Sequence, residues 1–465
     1  MKINSCARFA QKVRARLERR ASVLGIPKTI VKQVIEHMSN CCAHNGPEWA
    51  VKRFKSLAND FSCRMLGMSK SPVPWVKTTD SNKFTYGGPI GQLERWAGSN
   101  FIRIYRAVQL LRCYTSFRSK ELTSQQWEKF SIAVSASPME IPISISKMLE
   151  SACSRKLEHA RDFRRFSPSE IRPILGNEWS SERRAPCVGG SRCESQAALD
   201  GLRFIVDYQD GHYVYSRWKD LFDPLLAGGL KDFVLTTIGR HDASEHGFRV
   251  GTIGLIQEPG YKLRAVANPA RVFQLLLEPL GKRLYRILSD LPWDCTFDQR
   301  KADRAIQEAL NKGSTAYCVD LENATDYFPL DLQIQVLSYL FPNEVVRGSI
   351  DLLKQIARSP WKGPNGFIRW TKGQPLGLYP SFASFALTHG LLLFALNNFS
   401  HKEKFFILGD DVVILDPLLH ARYTDALKEL GCPTSLPKLR ISSEAAEFAG
   451  RIIRKNGEVY PNLKW

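Results

Sequence analysis

The chain has 465 residues, with 65 Lys and Arg against 46 Asp and Glu, a net charge of +19 at pH 7 and a pI near 9.5. That length can hold several domains' worth of core or one large multi-lobed enzyme, and the basic excess favours nucleic acid or another polyanion as partner over a cationic one. Eleven cysteines with no CxxC pair favour a reducing compartment with free thiols over a disulfide framework or structural zinc, so no metal–thiolate site is expected.

In chain order, the first segment, MKINSCARFAQKVRARLERR, is basic and nearly free of acid. It reads as an RNA-touching amphipathic helix in preference to a mitochondrial presequence, and no secretory apolar region follows it. Up to about residue 200, basic amphipathic stretches such as FIRIYRAVQLLRCYTSF (101–117) alternate with loop-rich segments, without repeats or low-complexity tracts. From about residue 250 the pattern changes to strand-like runs punctuated by Gly and Pro. In EPGYKLRAVANPARV, Lys262 and Arg264 fall on one face of a strand and Arg271 follows a turn. Positive charge so placed suits an anionic triphosphate, or is simply a solvated basic strand.

Farther on, Thr315 to Val319 reads as a buried strand ending at Asp320. A helix is predicted from near Pro329, with Leu332, Val336, Leu337 and Leu340 on one face. Asp326 then lies in the strand-to-helix connection, where it could equally be a capping residue. In KGQPLGLYPSFASFALTHG, Gly373, Gln374 and Gly377 form a loop whose backbone can approach a ligand, and Ser381 stands where a helix should begin. Residues 376–399 carry no formal charge and are long enough to span a bilayer, but Pro380, His389, Asn397 and Asn398 favour a buried helix of a soluble enzyme.

The chemistry converges on FFILGDDVVI (405–414), two apolar runs flanking Gly409, Asp410 and Asp411. A Gly-Asp-Asp tripeptide arises by chance in roughly one chain in ten of this length, and an ordinary turn would explain it. A strand ending at Asp320 beside this hairpin would, however, bring three carboxylates to one sheet edge. Such carboxylates repel, and Mg²⁺ or Mn²⁺ would relieve them; two such ions can clamp the attacking and leaving oxygens of an in-line phosphoryl displacement.

Taken in order, EPGYKLRAVANP, LPWDCTFDQ, DLENATDYFP, GQPLGLYPSFASFALTHG, LGDDVVI and EFAGRIIR resemble the motif series of viral RNA-directed RNA polymerases. The resemblance covers about residues 250–455 and is to ourmia-like, narna-like and mitovirus-like positive-strand RNA viruses, the first two segments being most similar to the ourmia-like group. It implies an α+β right hand of fingers, palm and thumb, with an antiparallel palm sheet packed on helices. The chain would divide into a basic helical extension and fingers (1–200), fingers with basic nucleotide-binding strands (201–313), a first palm part (314–340), a fingers–palm connection (341–372), a second palm part (373–448) and the start of a thumb (449–465). Only Arg451 to Trp465 follow Gly450. The resemblance therefore leads one to expect an incomplete frame, a thumb from a second chain, or a reduced thumb.

By the same resemblance, Asp320 and Asp410 would hold two Mg²⁺ or Mn²⁺ ions with Asp411 assisting, and Asp326, Ser381 and Thr388 would read the ribose 2′-hydroxyl. The loop of Gly373, Gln374 and Gly377 would follow the substrate. Lys262, Arg264 and Arg271 would face the triphosphate, Lys438 would protonate pyrophosphate, and Glu447 to Arg451 would grip the primer. Phe385 stands where many relatives have Asn, which weakens sugar selection by that helix. The implied partners are an RNA template and product duplex and ribonucleoside triphosphates, with no obligatory membrane span, in host cytoplasm or alternatively the mitochondrion. A reverse transcriptase would usually carry an aromatic residue where Leu408 stands. A silencing-type polymerase has a barrel-based acidic motif that is not found here. A non-enzymatic RNA-binding protein would explain the charge but not three Asp residues at strand ends.

Overall fold

The computed structural model describes residues 14–68, 73–77, 85–119, 121, 123–156, 184–187, 190–193, 250–269, 271–342, 344–400, 404–435, 439–463 and 465. After helical residues 14–21 come α1 (Lys28–Asn45), α2 (Pro47–Met65), α3 (Gly88–Ala97) and α4 (Phe101–Leu111). Apolar residues at helical spacing, among them Val34, Ile35, Met38, Phe54, Leu57, Phe61, Leu93, Ala107 and Leu111, close into one core. Glu94 of α3 accepts the backbone N–H groups of Thr85 and Tyr86 and pairs with Arg64 of α2, while Tyr86 donates to Asp60 at 3.1 Å. This buried network ties the incoming loop to two helices.

Next come α5 (Ser124–Val134), whose Thr123 and Gln126 form a reciprocal capping box, and α6 (Ile143–Lys156). Although α6 precedes residue 200, Ile145, Leu149 and Ala152 belong to a second core built mainly from residues beyond 250. A short hairpin, β1 (Arg184–Cys187) with β2 (Gly190–Cys193), follows. The predicted basic strands form an antiparallel pair, β3 (Gly251–Glu258) and β4 (Lys262–Pro269), and Arg271 opens α7 (Arg271–Asp290). After α8 (Asp303–Asn311) come β5 (Ala316–Asp320), α9 (Ala324–Tyr327), α10 (Leu330–Leu340), α11 (Glu344–Arg358), and the hairpin β6 (Trp361–Gly363) with β7 (Gly366–Ile368), which extends the β3–β4 sheet.

The remaining elements are α12 (Ser381–Leu396), β8 (Phe405–Leu408), β9 (Asp411–Ile414), α13 (Pro417–Glu429), β10 (Arg440–Ser442), β11 (Ala445–Phe448), β12 (Arg451–Arg454) and β13 (Val459–Pro461). The central sheet runs β10–β5–β9–β8, antiparallel throughout. Its side chains alternate strictly between faces. Val319, Phe405, Ile407, Val412 and Ile414 pack into the helical core with α12 and α13, while Ala316, Cys318, Phe406 and Val413 meet α8 and the β11–β12 hairpin. The two continuous apolar runs thus bury both faces and leave polar chemistry at the strand ends.

Helix α12 is buried along almost its whole length, which accounts for its lack of charge; among the described residues, no helix is long and apolar enough to cross a membrane. The last residues lie against α4. Tyr105 donates to the Pro461 carbonyl at 2.6 Å, and the Trp465 indole donates to the Gln109 carbonyl at 2.9 Å.

Candidate active site

Strand β5 ends at Asp320 because the chain there leaves the sheet. Glu322 donates its N–H to the Pro433 carbonyl, Ser435 donates to the Asp320 carbonyl (2.8 Å each), and Asn323 turns left-handed at φ 47° to start α9. In the β5–β9 ladder Asp320 is paired with Asp411, and Asp411 is paired with Leu408 on its other side. Gly409, at φ 62°, makes the tight turn and leaves Asp410 exposed at its tip. The register therefore sets Asp320 beside Asp411 at the end of the β5–β9 ladder, with Asp410 at the adjoining turn.

Burial is the main cause that pushes the Asp411 carboxyl up to about 7. The Ala449 N–H, donating to Asp411 Oδ2 at 2.8 Å, opposes this, while the charges of Asp320, Glu447 and Asp410 add to it. Asp411 is thus engaged by the β11–β12 hairpin, which differs from a three-carboxylate cage aimed at one point. Among the described residues, no group of three His, Cys, Asp or Glu side chains is arranged to hold a metal ion. The donor chemistry still suits a hard divalent cation, since the charges of Asp320, Glu447 and Asp410 raise the proton affinity of Asp411 and a cation would relieve that repulsion.

Asp326 lies on α9. Burial pushes its carboxyl up to about 6, opposed by a 2.8 Å hydrogen bond from the Trp370 indole and by the charge of Arg264. That electrostatic link joins the basic strand to Asp326. Lys262 and Arg264 both project to solvent from β4, and Glu258 pairs with each, at 3.3 Å and 2.5 Å. The structure describes the backbone of Arg271 but not its side chain, and Lys438 lies outside the described residues.

The glycine loop is packed rather than open. A Cβ on Gly373 would overlap the Thr325 and Asp326 backbone, and one on Gly377, at φ 130°, would overlap the Ala267 carbonyl oxygen. Gln374 is fully buried and ties the loop shut, its N–H donating to Thr325 O and its Nε2 to Ser381 O, both at 2.7 Å. Ser381 donates to the Pro375 carbonyl at 2.8 Å, and Thr388 is wholly buried. These three side chains face the core, and for Ser381 and Thr388 the direct contact with a ribose expected from sequence is not the arrangement seen here. Phe385, where Asn was expected, fills the core edge-on to Phe328.

Sequence reasoning missed Arg358, Trp370, His389 and Tyr423. Arg358 donates to the carbonyls of Trp370, Lys372 and Gly373, each at 3.1 Å, and pairs with Asp331. His389 Nδ1 lies 2.9 Å from the Gly409 carbonyl oxygen, and its Nε2 lies 2.7 Å from the Tyr423 hydroxyl. A histidine in an otherwise uncharged apolar helix was the signal for the last pair. In the β11–β12 hairpin, Glu447 faces Arg440 at 3.6 Å, and Arg451 is pinned to Asp303 of α8 at 2.6 Å.

A profile of the family described as Mitovirus RNA-dependent RNA polymerase matches residues 125–462. Over 212 residues the chain is 34% identical to the RNA-directed RNA polymerase of Cryphonectria parasitica mitovirus 1; the match covers 44% of this chain and 26% of that one. It is 30% identical over 188 residues to the uncharacterized mitochondrial protein AtMg01410 of Arabidopsis thaliana, covering 37% of this chain and 89% of that one. Among solved structures, the BmCPV RNA-dependent RNA polymerase at its elongation state superposes with a TM-score of 0.52 at 8% identity, covering 92% of this chain and 42% of that one. That likeness shows a shared α+β polymerase fold.

Proposed function

Because the chain belongs to the mitovirus RNA-dependent RNA polymerase family, we propose that it is an RNA-directed RNA polymerase, adding ribonucleotides from triphosphates to an RNA 3′-hydroxyl under template control and so replicating a viral RNA genome. The observation that carries the reading is the sheet register that sets Asp320 beside Asp411 with Asp410 at the adjoining turn. A strand pair ending in carboxylates can present oxygen ligands at one edge while both of its faces are buried.

Asp320 and Asp410 would hold the divalent cations, Mg²⁺ or Mn²⁺, with Asp411 assisting. Cations held there supply a lowered pKa for the attacking hydroxyl and neutralise charge on the departing pyrophosphate. Arg264 and Lys262 orient the triphosphate, exchanging Glu258 for phosphate oxygens. Asp326, beside Arg264, accepts a hydrogen bond from the ribose 2′-hydroxyl, and the buried Gln374–Ser381 contact keeps the loop beneath it in place. Lys438 delivers the proton to pyrophosphate. The lobes follow the division drawn from the motif order. The net charge of +19 supports an RNA duplex as the bound partner.

A kinship with ourmia-like viruses, suggested by the wording of the first two motif segments, remains a finer proposal within this reading. Of the two compartments expected, the mitochondrion is favoured by the family match and by the mitochondrial name of the plant relative. The test is templated extension of an RNA primer on four templates that differ only in the templating base. Incorporation of the complementary ribonucleotide alone, with the deoxy form at least tenfold slower, is expected. Incorporation indifferent to the template would refute the assignment.

A further inference from the structure

We propose that His389, held by Tyr423, is a positioning residue for the Gly409–Asp410 peptide and thereby sets where the Asp410 carboxylate stands. For the role of Asp410 this rests on the polymerase reading above.

Both ring nitrogens of His389 are engaged and the ring has no solvent exposure. A carbonyl oxygen can only accept, so Nδ1 carries the proton toward Gly409; Nε2 then accepts, and Tyr423 donates its O–H. Only one proton arrangement satisfies this chain, from Tyr423 through His389 to Gly409. Burial holds the imidazole neutral, its pKa lowered to about 4, which keeps that arrangement through the neutral range.

The ring is also clamped in orientation. Phe328, just after α9, lies 5.6 Å from it, Phe385 5.3 Å, and Tyr423 stacks at 5.7 Å and 26°. One side chain therefore touches the connection that carries Asp326, the helix α12, the helix α13 and the Gly-Asp-Asp turn. A leucine would fill this site without the desolvation of two polar groups, so a packing role alone does not explain the residue. The turn, in contrast, has a use for it. Gly409 is left-handed, a Cβ there would come within 2.8 Å of Phe382, and Asp410 is exposed; the His389 hydrogen bond fixes the peptide plane between them against rotation. The Tyr423 hydroxyl lies within electrostatic reach of Asp410 and Asp320, both of which add to its raised pKa.

The test uses the full chain with an RNA primer–template, stripped of metal, in which Mn²⁺ affinity is measured by calorimetry, unfolding by heat, and kcat and KM by single-nucleotide incorporation. In His389→Asn the amide nitrogen stands near the Nδ1 position and can still donate to Gly409. In His389→Gln the amide stands nearer Nε2, and in His389→Leu nothing remains. Mn²⁺ affinity is expected to fall at least tenfold in the Gln and Leu variants and to stay within threefold in the Asn variant. kcat should fall in parallel while KM for the nucleotide stays within threefold. A Leu variant that unfolds cooperatively and binds Mn²⁺ as the wild type does overturns the inference, as do Asn and Gln variants of equal affinity. Should the histidine variants not fold, Tyr423→Phe carries the test, with a threefold or greater loss of Mn²⁺ affinity in support and no change against. Asp410-dependent Mn²⁺ binding without nucleotide incorporation by the wild type would sink the polymerase reading and leave the positioning role standing; Mn²⁺ binding indifferent to Asp410→Ala would sink the positioning role.

Discussion

Replacing Trp370 with Phe removes one hydrogen-bond donor from one carboxylate, and the consequence should depend on pH in a defined direction. The indole N–H lies 2.8 Å from Asp326 Oδ1, and burial, partly offset by that bond, raises the Asp326 carboxyl to about 6 from the ordinary value near 3.8. Native Asp326 therefore binds its proton more tightly than the unfolded chain does. Its contribution to stability is fully present below about pH 4 and is lost as pH rises through 6, a loss of about 3 kcal/mol at pH 8. Without the indole the native pKa rises further. A hydrogen bond to a charged group is worth about 1.5–3 kcal/mol, so Trp370→Phe should cost about that much more at pH 8 than at pH 5, where the carboxyl is largely protonated with or without the indole. Lost packing against Trp361 and Phe130 adds a term common to both pH values. Urea unfolding of the wild type, Trp370→Phe, Asp326→Asn and the double variant at pH 5 and pH 8 separates the two terms. The reasoning fails if the cost is the same at both pH values, or if its pH dependence survives in the Asp326→Asn background.

Three further outcomes are expected. Gly377→Ala meets both a φ of 130° and the Ala267 carbonyl, so thermal unfolding should show a loss of about 3 kcal/mol or more, against about 1 kcal/mol for Gly88→Ala, whose left-handed position is open. Arg264→Ala should raise the nucleotide KM at least tenfold, and Glu258→Gln, which releases Arg264, should lower it or leave it unchanged, as read by steady-state incorporation. His389 is neutral when folded, with a pKa near 4 against about 6.5 unfolded, so its contribution to stability is full above pH 6.5 and lost as pH falls toward 4. The stability difference between the wild type and His389→Leu should shrink by about 3 kcal/mol over that range; a constant difference would show that the histidine is not buried neutral.

The elements near the site were legible because each depends on local pattern. Short continuous apolar runs placed β5, β8 and β9, the helical spacing of Leu332, Val336, Leu337 and Leu340 placed α10, and the lack of charge in α12 matched its burial. The pairing of Asp320 with Asp411 is a long-range fact that neither strand encodes alone; the motif order supplied it. The side-chain directions were less legible. Ser381 and Thr388 sit on a helix that is buried on every face, so no periodicity distinguishes a ligand-facing hydroxyl from a core one. Arg358 grips carbonyls well beyond its own helix, a contact that no local pattern announces. The early α6 joins the later core for a similar reason, since its apolar face is readable but its partner is not.

The most direct test is single-turnover addition of one templated ribonucleotide to an RNA primer with Mg²⁺, comparing the wild type with Asp410→Ala at equal RNA occupancy. A polymerase using this sheet edge should extend the primer, and the variant should bind RNA equally well while extending it at least a thousandfold more slowly. Extension by the variant at the wild-type rate would contradict the assignment of the Gly409–Asp411 turn as the catalytic centre.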